Sequence, residues 1–158
     1  KKLAGKNSLF IFVHTIVVMT NIDKNRMLAV SLLRVGNKMH EELNLFLKDF
    51  GLSLPQFNVL RILRGQKGMP ANLSTINQHM IHKMSNTTRL IDKLIEKEYV
   101  KRTICSNNRR KIELFITPNG LSLLNEIDKV LAHKEAQLVG KITSDEKEIL
   151  TTILSKLI

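Results

Sequence analysis

Polar and basic side chains of the kind that contact nucleic acids are concentrated between residues 83 and 111 of this chain. One group lies in a stretch with helical spacing and comprises Ser85, Asn86, Thr87, Arg89 and Lys93. A second group lies within a β-rich stretch and comprises Arg109, Arg110 and Lys111. Hydroxyl, amide and guanidinium groups can hydrogen-bond to base edges, and cationic groups pair with phosphates. The chemistry that these residues could do is therefore recognition of duplex DNA.

The net charge of the chain is concentrated in the same stretch. The 158 residues carry 25 Lys and Arg against 14 Asp and Glu, a formal net charge of +11. Residues 83–111 hold nine cations and three anions, so they contribute more than half of that excess. A local basic patch is typical of polyanion binding, with nucleic acid ahead of an anionic membrane surface. Aromatic residues are only 4% of the chain, which argues against readers that stack single-stranded bases.

Composition and motifs argue against several other classes of protein. With 43% hydrophobic residues the chain can form a core, which excludes wholesale disorder. The single cysteine, Cys105, excludes a disulfide framework, and we expect it to be a packed thiol rather than a redox switch. His79 and His82 are expected to be surface histidines rather than metal ligands. No G-x-S-x-G, H-E-x-x-H or P-loop motif occurs, so we expect no catalytic residue and no cofactor. From the composition and the single cysteine we expect no metal and a cytoplasmic location.

The elements that must position the basic residues are predicted from apolar spacing and from helix-capping residues. Apolar residues three and four apart over residues 27–50 predict a long amphipathic helix. Gly51 suits the left-handed position after that helix. Residues 53–55, Ser-Leu-Pro, predict the start of a second helix because Pro is favoured in a first helical turn.

Two further helices and a hairpin follow. A short third helix is expected to begin at Ser74 as its N-cap and to bury Ile76 and Met80. A fourth is expected to begin near Ser85. Its predicted apolar stripe comprises Met84, Thr88, Ile91, Leu94 and Ile95. Residues 100–106 and 111–117 predict two strands around a polar, basic tip at residues 107–110.

The remaining chain predicts two terminal helices. Thr117 and Pro118 supply an N-cap and a first-turn proline for a fifth helix. Thr143 and Glu146 form a capping-box pattern at the start of the last helix. Three helices followed by a basic hairpin are the order of a winged helix-turn-helix, so we predict a mainly α fold with a small β-hairpin wing (α+β). The fourth helix would present residues 85–93 to the major groove, and the wing would reach the minor groove or its phosphates.

At these residues the sequence resembles the MarR family of bacterial transcription regulators. The resemblance runs through residues 54–60, 85–94, 100–102, 108–110 and 116–120, and it covers residues 27–158 as a whole. It implies dimerisation helices at 27–50 and 118–158 around a winged helix-turn-helix at 54–117. It also implies a homodimer on a pseudo-palindromic operator that usually represses nearby genes. A small, often aromatic, effector would occupy a cleft near His40, Glu41 and Glu42.

The sequence departs from the family pattern at two positions. Asn108 stands where the family wing usually has Asp, with Arg110 as its partner. Because a charge-assisted hydrogen bond is about twice as strong as a neutral one, we expect a looser wing. Glu98 stands where the family commonly has Gly, and a left-handed backbone there would cost about 1 kcal/mol.

Residues 1–20 take no part in the resemblance. Three lysines precede a short apolar run over residues 9–19, which is too short for a bilayer span of roughly twenty residues. We interpret this segment as an extension ahead of a domain at residues 21–158, either non-native or from an early start. A segment packed on the body and an export signal are alternatives. A winged-helix protein-interaction module and a protein held weakly at a membrane by this segment stay open as other functions.

Overall fold

A computed structural model describes residues 23–81, 86–105 and 108–157, with the backbone alone for residues 108–111. The predictions for residues 1–20, for His82, Met84 and Ser85, and for the extreme tip of the hairpin lie outside the described residues. No helix among the described residues is long and apolar enough to cross a membrane.

The described residues form six helices and one antiparallel hairpin, in agreement with the predicted mainly α fold. In chain order they are α1 (Lys24–Lys48), α2 (Leu54–Gly65), α3 (Leu73–His79), α4 (Thr87–Glu96), β1 (Val100–Cys105), β2 (Asn108–Ile116), α5 (Pro118–Leu138) and α6 (Ser144–Leu154).

Most of the helix starts lie where the capping residues predict them. Ser53 caps α2, and its backbone N–H donates to the Gln56 side chain at 3.0 Å, which completes a capping box. Thr117 caps α5, and Thr143 caps α6 with Glu146 as its reciprocal partner. The prediction for α3 was wrong. Asn72 is its N-cap and accepts a hydrogen bond from Thr75 N at 2.8 Å, so Ser74 lies inside the helix.

The hairpin has a shorter tip than the sequence pattern predicts. Strand β2 begins at Asn108, so Asn108, Arg109 and Arg110 are strand residues rather than residues of the tip, and Lys111 lies in the strand as predicted. Ile104 pairs with Ile112, but the next pair joins Cys105 to Asn108. Three β2 residues therefore lie opposite one peptide link of β1, which is a bulge. The tip is shorter than predicted because β1 and β2 pair again beyond the bulge, at Cys105 and Asn108.

The chain divides after Glu41 into two compact units. In the first unit, the apolar residues of α1 are mainly exposed, among them Met27, Leu28, Leu33 and Val35. In the second unit, the end of α1 and every element from α2 to α5 contribute large side chains to one core. Its fully buried members include Leu47, Leu60, Leu63, Ile76, Ile91, Leu94, Leu114, Leu124 and Ile127, with Val100 at the start of β1. Helix α6 has no buried residue.

Candidate nucleic-acid interface

Helix α4 is held against the core by its apolar face and presents its polar face outward. Ile91 and Leu94 are 2% and 0% exposed, respectively, so these two side chains fix the rotation of the helix. Arg89 and Lys93 lie four residues apart, one turn of the same face, and both are exposed. Neither forms an ion pair with a described residue. Asn86 is exposed as well, at the N-cap position.

Two adjacent threonines exchange the roles that the sequence pattern predicts for them. Thr87, expected to contact DNA, is 3% exposed, and its hydroxyl donates a hydrogen bond to the Asn77 side chain of α3. Thr88, expected in the apolar stripe, is exposed. The expectation that Thr87 faces DNA is therefore contradicted. Thr87 lies four residues before Ile91, which in turn lies three residues before Leu94. This helical spacing is the sequence signal that places Thr87 on the buried face.

The C-terminal end of α4 is tied to the neighbouring elements. Asp92 on α4 forms an ion pair with Arg102 on β1 at 3.3 Å. Glu98, which stands where the family commonly has Gly, follows the helix in a left-handed conformation with a φ of 59°. The Thr117 hydroxyl donates to Glu98 O at 2.6 Å while it also accepts from Gly120 N at 3.1 Å. One side chain thus joins the end of α4 to the start of α5.

The hairpin is anchored at its base and carries its cations further out. Leu114 exchanges two backbone hydrogen bonds with Ala71, at 3.0 and 2.8 Å, which joins β2 to the segment before α3. Lys101 Nζ lies 5.2 Å from the centroid of the Phe115 ring, so its ammonium is engaged within the hairpin. Arg109, Arg110 and Lys111 lie at the bulge, toward the end of the hairpin away from the core.

A cavity that the residue pattern did not locate lies beside the core. It has a volume of about 380 Å³ and is bounded by α2, the ends of α1 and α3, and α5. Its apolar lining comprises Leu43, Leu54, Phe57, Ile62, Ile81 and Leu131. Its polar lining comprises Asn58, Arg61, His79 and Glu135. Glu42, considered as a ligand contributor from the sequence, forms an ion pair with Lys134 at 2.8 Å.

The described residues hold no group of three or more His, Cys, Asp or Glu side chains that could bind a metal ion. Cys105 is a free, half-buried thiol in β1. The described residues therefore form a cationic helix face and a basic hairpin, together with a separate cavity that neither of these elements lines. This arrangement fits binding of a polyanion better than covalent chemistry.

Comparisons with known proteins address the same region. The sequence model of the MarR family matches residues 52–112, which run from the end of α1 through the hairpin cations. The regulator PrsX of Escherichia coli is 26% identical over 126 residues, which are 80% of this chain and 76% of PrsX. The regulator MhqR of Bacillus subtilis is 26% identical over 134 residues, or 85% of this chain and 91% of MhqR. The chain is therefore similar to MarR-family regulators over most of its length, and its residues 52–112 match the family's sequence model.

Solved structures of MarR proteins share the fold. A MarR-like regulator from Bacillus cereus superposes with a TM-score of 0.77 at 22% identity, over 84% of this chain and 94% of that one. A mutant of Escherichia coli MarR in complex with operator DNA gives 0.74 at 23% identity, over 83% and 93% of the two chains. These likenesses confirm the predicted winged helix.

The names of the similar proteins bear on the class of function. The relatives are named as HTH-type transcriptional regulators and not as enzymes. The names of these relatives, and a solved structure of the same fold in complex with operator DNA, support a DNA-binding transcriptional regulator. The alternative, a winged-helix interaction module without DNA binding, is not favoured.

Proposed function

We propose that this protein acts as a MarR-type regulator, which binds a pseudo-palindromic duplex operator as a homodimer and represses the genes beside it. The observation that carries the proposal is the outward face of α4, where Arg89 and Lys93 are exposed while Ile91 and Leu94 are buried. A helix held in this way can enter the major groove, where its polar side chains meet base edges. Because the operator is on the bacterial chromosome, the protein would act in the cytoplasm.

The DNA contacts proposed along α4 and at its N-cap are Asn86, Thr88, Arg89 and Lys93, with Thr88 in place of Thr87. Ser85, also proposed from the sequence, lies outside the described residues. Those proposed on the hairpin are Arg109, Arg110 and Lys111. The hairpin is tied to the core through Leu114 and Ala71, so its outer end can rest on the flanking minor groove or phosphates without moving the body. The α4 residues would then recognise the bases, and the hairpin residues would fix the register of the protein on the DNA.

The test of the interface is Arg110→Ala, measured as DNA affinity over a series of salt concentrations. Each phosphate contact contributes about 0.9 to the slope of log K against log salt. We expect weaker binding and a slope reduced by about one phosphate equivalent. Lys141→Ala removes the same charge from an exposed site between α5 and α6, and it should leave the slope unchanged. Equal affinity and slope in Arg110→Ala and the unmodified protein would contradict the wing assignment.

The test of regulation uses the DNA upstream of the protein's own gene and a random duplex of equal length. We expect preference for the upstream DNA, since direct readout adds to the phosphate attraction that any duplex offers. Equal affinity for both duplexes at every salt concentration would remove the support for an operator there.

The homodimer is supported by apolar side chains that the single chain leaves exposed. On α1 these include Met27, Leu28 and Val35, and after residue 148 they include Ile149, Leu150, Ile153, Leu154 and Leu157. Contiguous exposed apolar residues at helical spacing mark a surface that a partner covers. A two-fold dimer would also match the two halves of a pseudo-palindromic site.

The effector is proposed to occupy the cavity between α2 and α5. Its volume of about 380 Å³ lies in the range of small-molecule sites. A solved relative in fold, BpsR of Bordetella bronchiseptica, is described as regulated in DNA binding by 6-hydroxynicotinic acid. We expect small aromatic acids, with that compound as the first probe, to release this protein from DNA. Ile62→Trp, which fills the cavity wall, should abolish the response and keep DNA binding, and an undiminished response would place the effector elsewhere.

A further inference from the structure

The start of α4 is secured differently from the starts of the other described helices that follow α1. Ser53, Asn72, Thr117 and Thr143 each accept a backbone hydrogen bond at the start of their own helix. Asn86, the N-cap of α4, makes no such bond. The local signal that fixes where a helix begins and how its axis leaves the preceding turn is therefore missing at α4.

A side chain from the preceding helix contacts the start of α4 instead. Thr87, the first residue of α4, is 3% exposed, and its hydroxyl donates to Asn77 Oδ1 on α3. Asn77 is half-buried and follows Ile76, which is fully buried in the core. The bond therefore connects the first turn of α4 to a fixed point on α3. A buried hydroxyl is costly to leave unpaired, so this pair favours one placement of the two helices.

We propose that Asn77 and Thr87 are positioning residues that set the orientation of α4 for base recognition. The proposal rests on the proposed entry of α4 into the major groove. Asn86 and Thr88 flank Thr87, so the bond acts where the helix would approach the bases. Hydrogen bonds to base edges need correct distance and angle at the same time, whereas attraction to phosphates tolerates small displacements. Loss of the Asn77–Thr87 bond should therefore lower operator preference more than general DNA affinity.

The experiment compares Thr87→Val, which keeps the shape and removes the hydroxyl, with Thr87→Ser, which keeps the hydroxyl. Affinity is measured for the preferred duplex and for a random duplex across a salt series. We expect Thr87→Val to lower the ratio of the two affinities about tenfold, with random-duplex affinity within twofold and the salt slope unchanged. Thr87→Ser should restore most of the ratio. Thr152→Val, at an exposed site on α6, is the matched control and should change nothing.

A second variant covers the case in which Thr87→Val does not fold. Asn77→Ala removes the acceptor from a half-buried site and should lower the same ratio. Combined with Thr87→Val, it should add little further loss, because both changes break one interaction. An unchanged ratio in the folded variants, a loss that is equal for both duplexes, or a failure of serine to rescue would overturn the proposal. Arg89→Ala tests the parent hypothesis separately: undiminished affinity there would remove α4 from the DNA, whatever Thr87 does.

Discussion

The winged helix-turn-helix buries most of its large apolar side chains, whereas α6 and most of α1 leave theirs exposed. Within residues 52–117, Leu60 and Leu94 are 0% exposed, and every described helix and strand there gives at least one side chain to the core. On α1, Leu28 is 57% exposed, and on α6, Ile149 is 59% exposed. Both regions have apolar residues at helical spacing, so sequence periodicity alone does not distinguish them.

The difference separates what one chain can complete from what it cannot. Burial stabilises by about 25 cal/mol for each Å² of apolar surface removed from water. The winged region obtains this stabilisation from its own residues at any protein concentration. In the proposed function, the exposed faces of α1 and α6 obtain it from a second copy of the chain. Stability of the second kind depends on protein concentration.

The largest expected effect is on the buried side of the comparison. Leu60→Ala opens a cavity in the core and should lower the free energy of unfolding by about 2–5 kcal/mol. The loss should be the same at low and high protein concentration, as measured by urea unfolding.

Leu150→Ala on α6 makes the same chemical change at a residue that is 43% exposed in the single chain. Its cost should be smaller at low concentration and should grow as the dimer forms. Equal, concentration-independent costs for both variants would contradict the distinction between the two regions.

The next effect tests the partner directly. Leu150→Glu with Ile153→Glu places two charges on the exposed apolar face of α6, where a partner would have to desolvate them. We expect the dimer dissociation constant to rise at least tenfold, which is about 1.4 kcal/mol, in sedimentation equilibrium. The circular dichroism of the helices should stay the same.

Thr151→Glu with Thr152→Glu is the control for added charge. Both threonines are exposed on α6, on the flanks away from the apolar stripe. This variant should dimerise as the unmodified protein does. A monomeric protein before any substitution, or equal weakening by both pairs, would remove α6 from the proposed interface.

The winged region also shows which features of a fold are legible in a sequence. The starts of α2, α5 and α6 follow from Ser53, Thr117 and Thr143, because a cap is a contact between residues three apart. At α3 two candidate caps lie close together, and Asn72 rather than Ser74 takes the role. A local pattern gives the existence of the helix but cannot decide between neighbouring polar residues.

The candidate site was less predictable than the fold because its details depend on contacts between distant residues. Helical spacing from Ile91 indicates that Thr87 rather than Thr88 is buried, but the bond from Thr87 to Asn77 on α3 is a contact that this spacing does not predict. The bulge that places Arg109–Lys111 within β2 depends on pairing with β1. The exposure of Arg89 and Lys93 was predictable, because the apolar residues beside them fix the helix face without contacts from distant residues.

A smaller effect concerns two helix ends with one geometry. After α1, Gly51 has a φ of 67° and Leu52 N donates to Leu47 O at 3.0 Å. After α4, Glu98 has a φ of 59° and Tyr99 N donates to Leu94 O at 2.9 Å. Both ends are Schellman motifs, in which Gly is favoured because it has no Cβ.

Glu98→Gly should therefore raise the free energy of unfolding by about 1 kcal/mol, measured by urea titration. Glu98→Ala removes the carboxylate and keeps the Cβ, so it should give little of this gain. If alanine stabilises as much as glycine, the cause is the lost charge and not the left-handed backbone. The left-handed backbone at Glu98 would then have no measurable effect on the free energy of unfolding.

The smallest expected effect concerns the capping box at the start of α6. Residues of one chain form this cap, whereas they leave the apolar face of the same helix exposed. The Thr143 backbone N–H donates to the Glu146 carboxylate at 2.8 Å, and this bond, followed by the Thr143 hydroxyl, lowers the pKa of Glu146 from its ordinary value of 4.5. Since the folded pKa is depressed, the cap is fully formed above the ordinary pKa and is lost as pH falls through the folded value. An NMR titration should give a Glu146 midpoint below 4.5. Thr143→Ala should return it only part of the way, because the backbone donor, the larger cause, remains. A complete return would assign the shift to the hydroxyl instead.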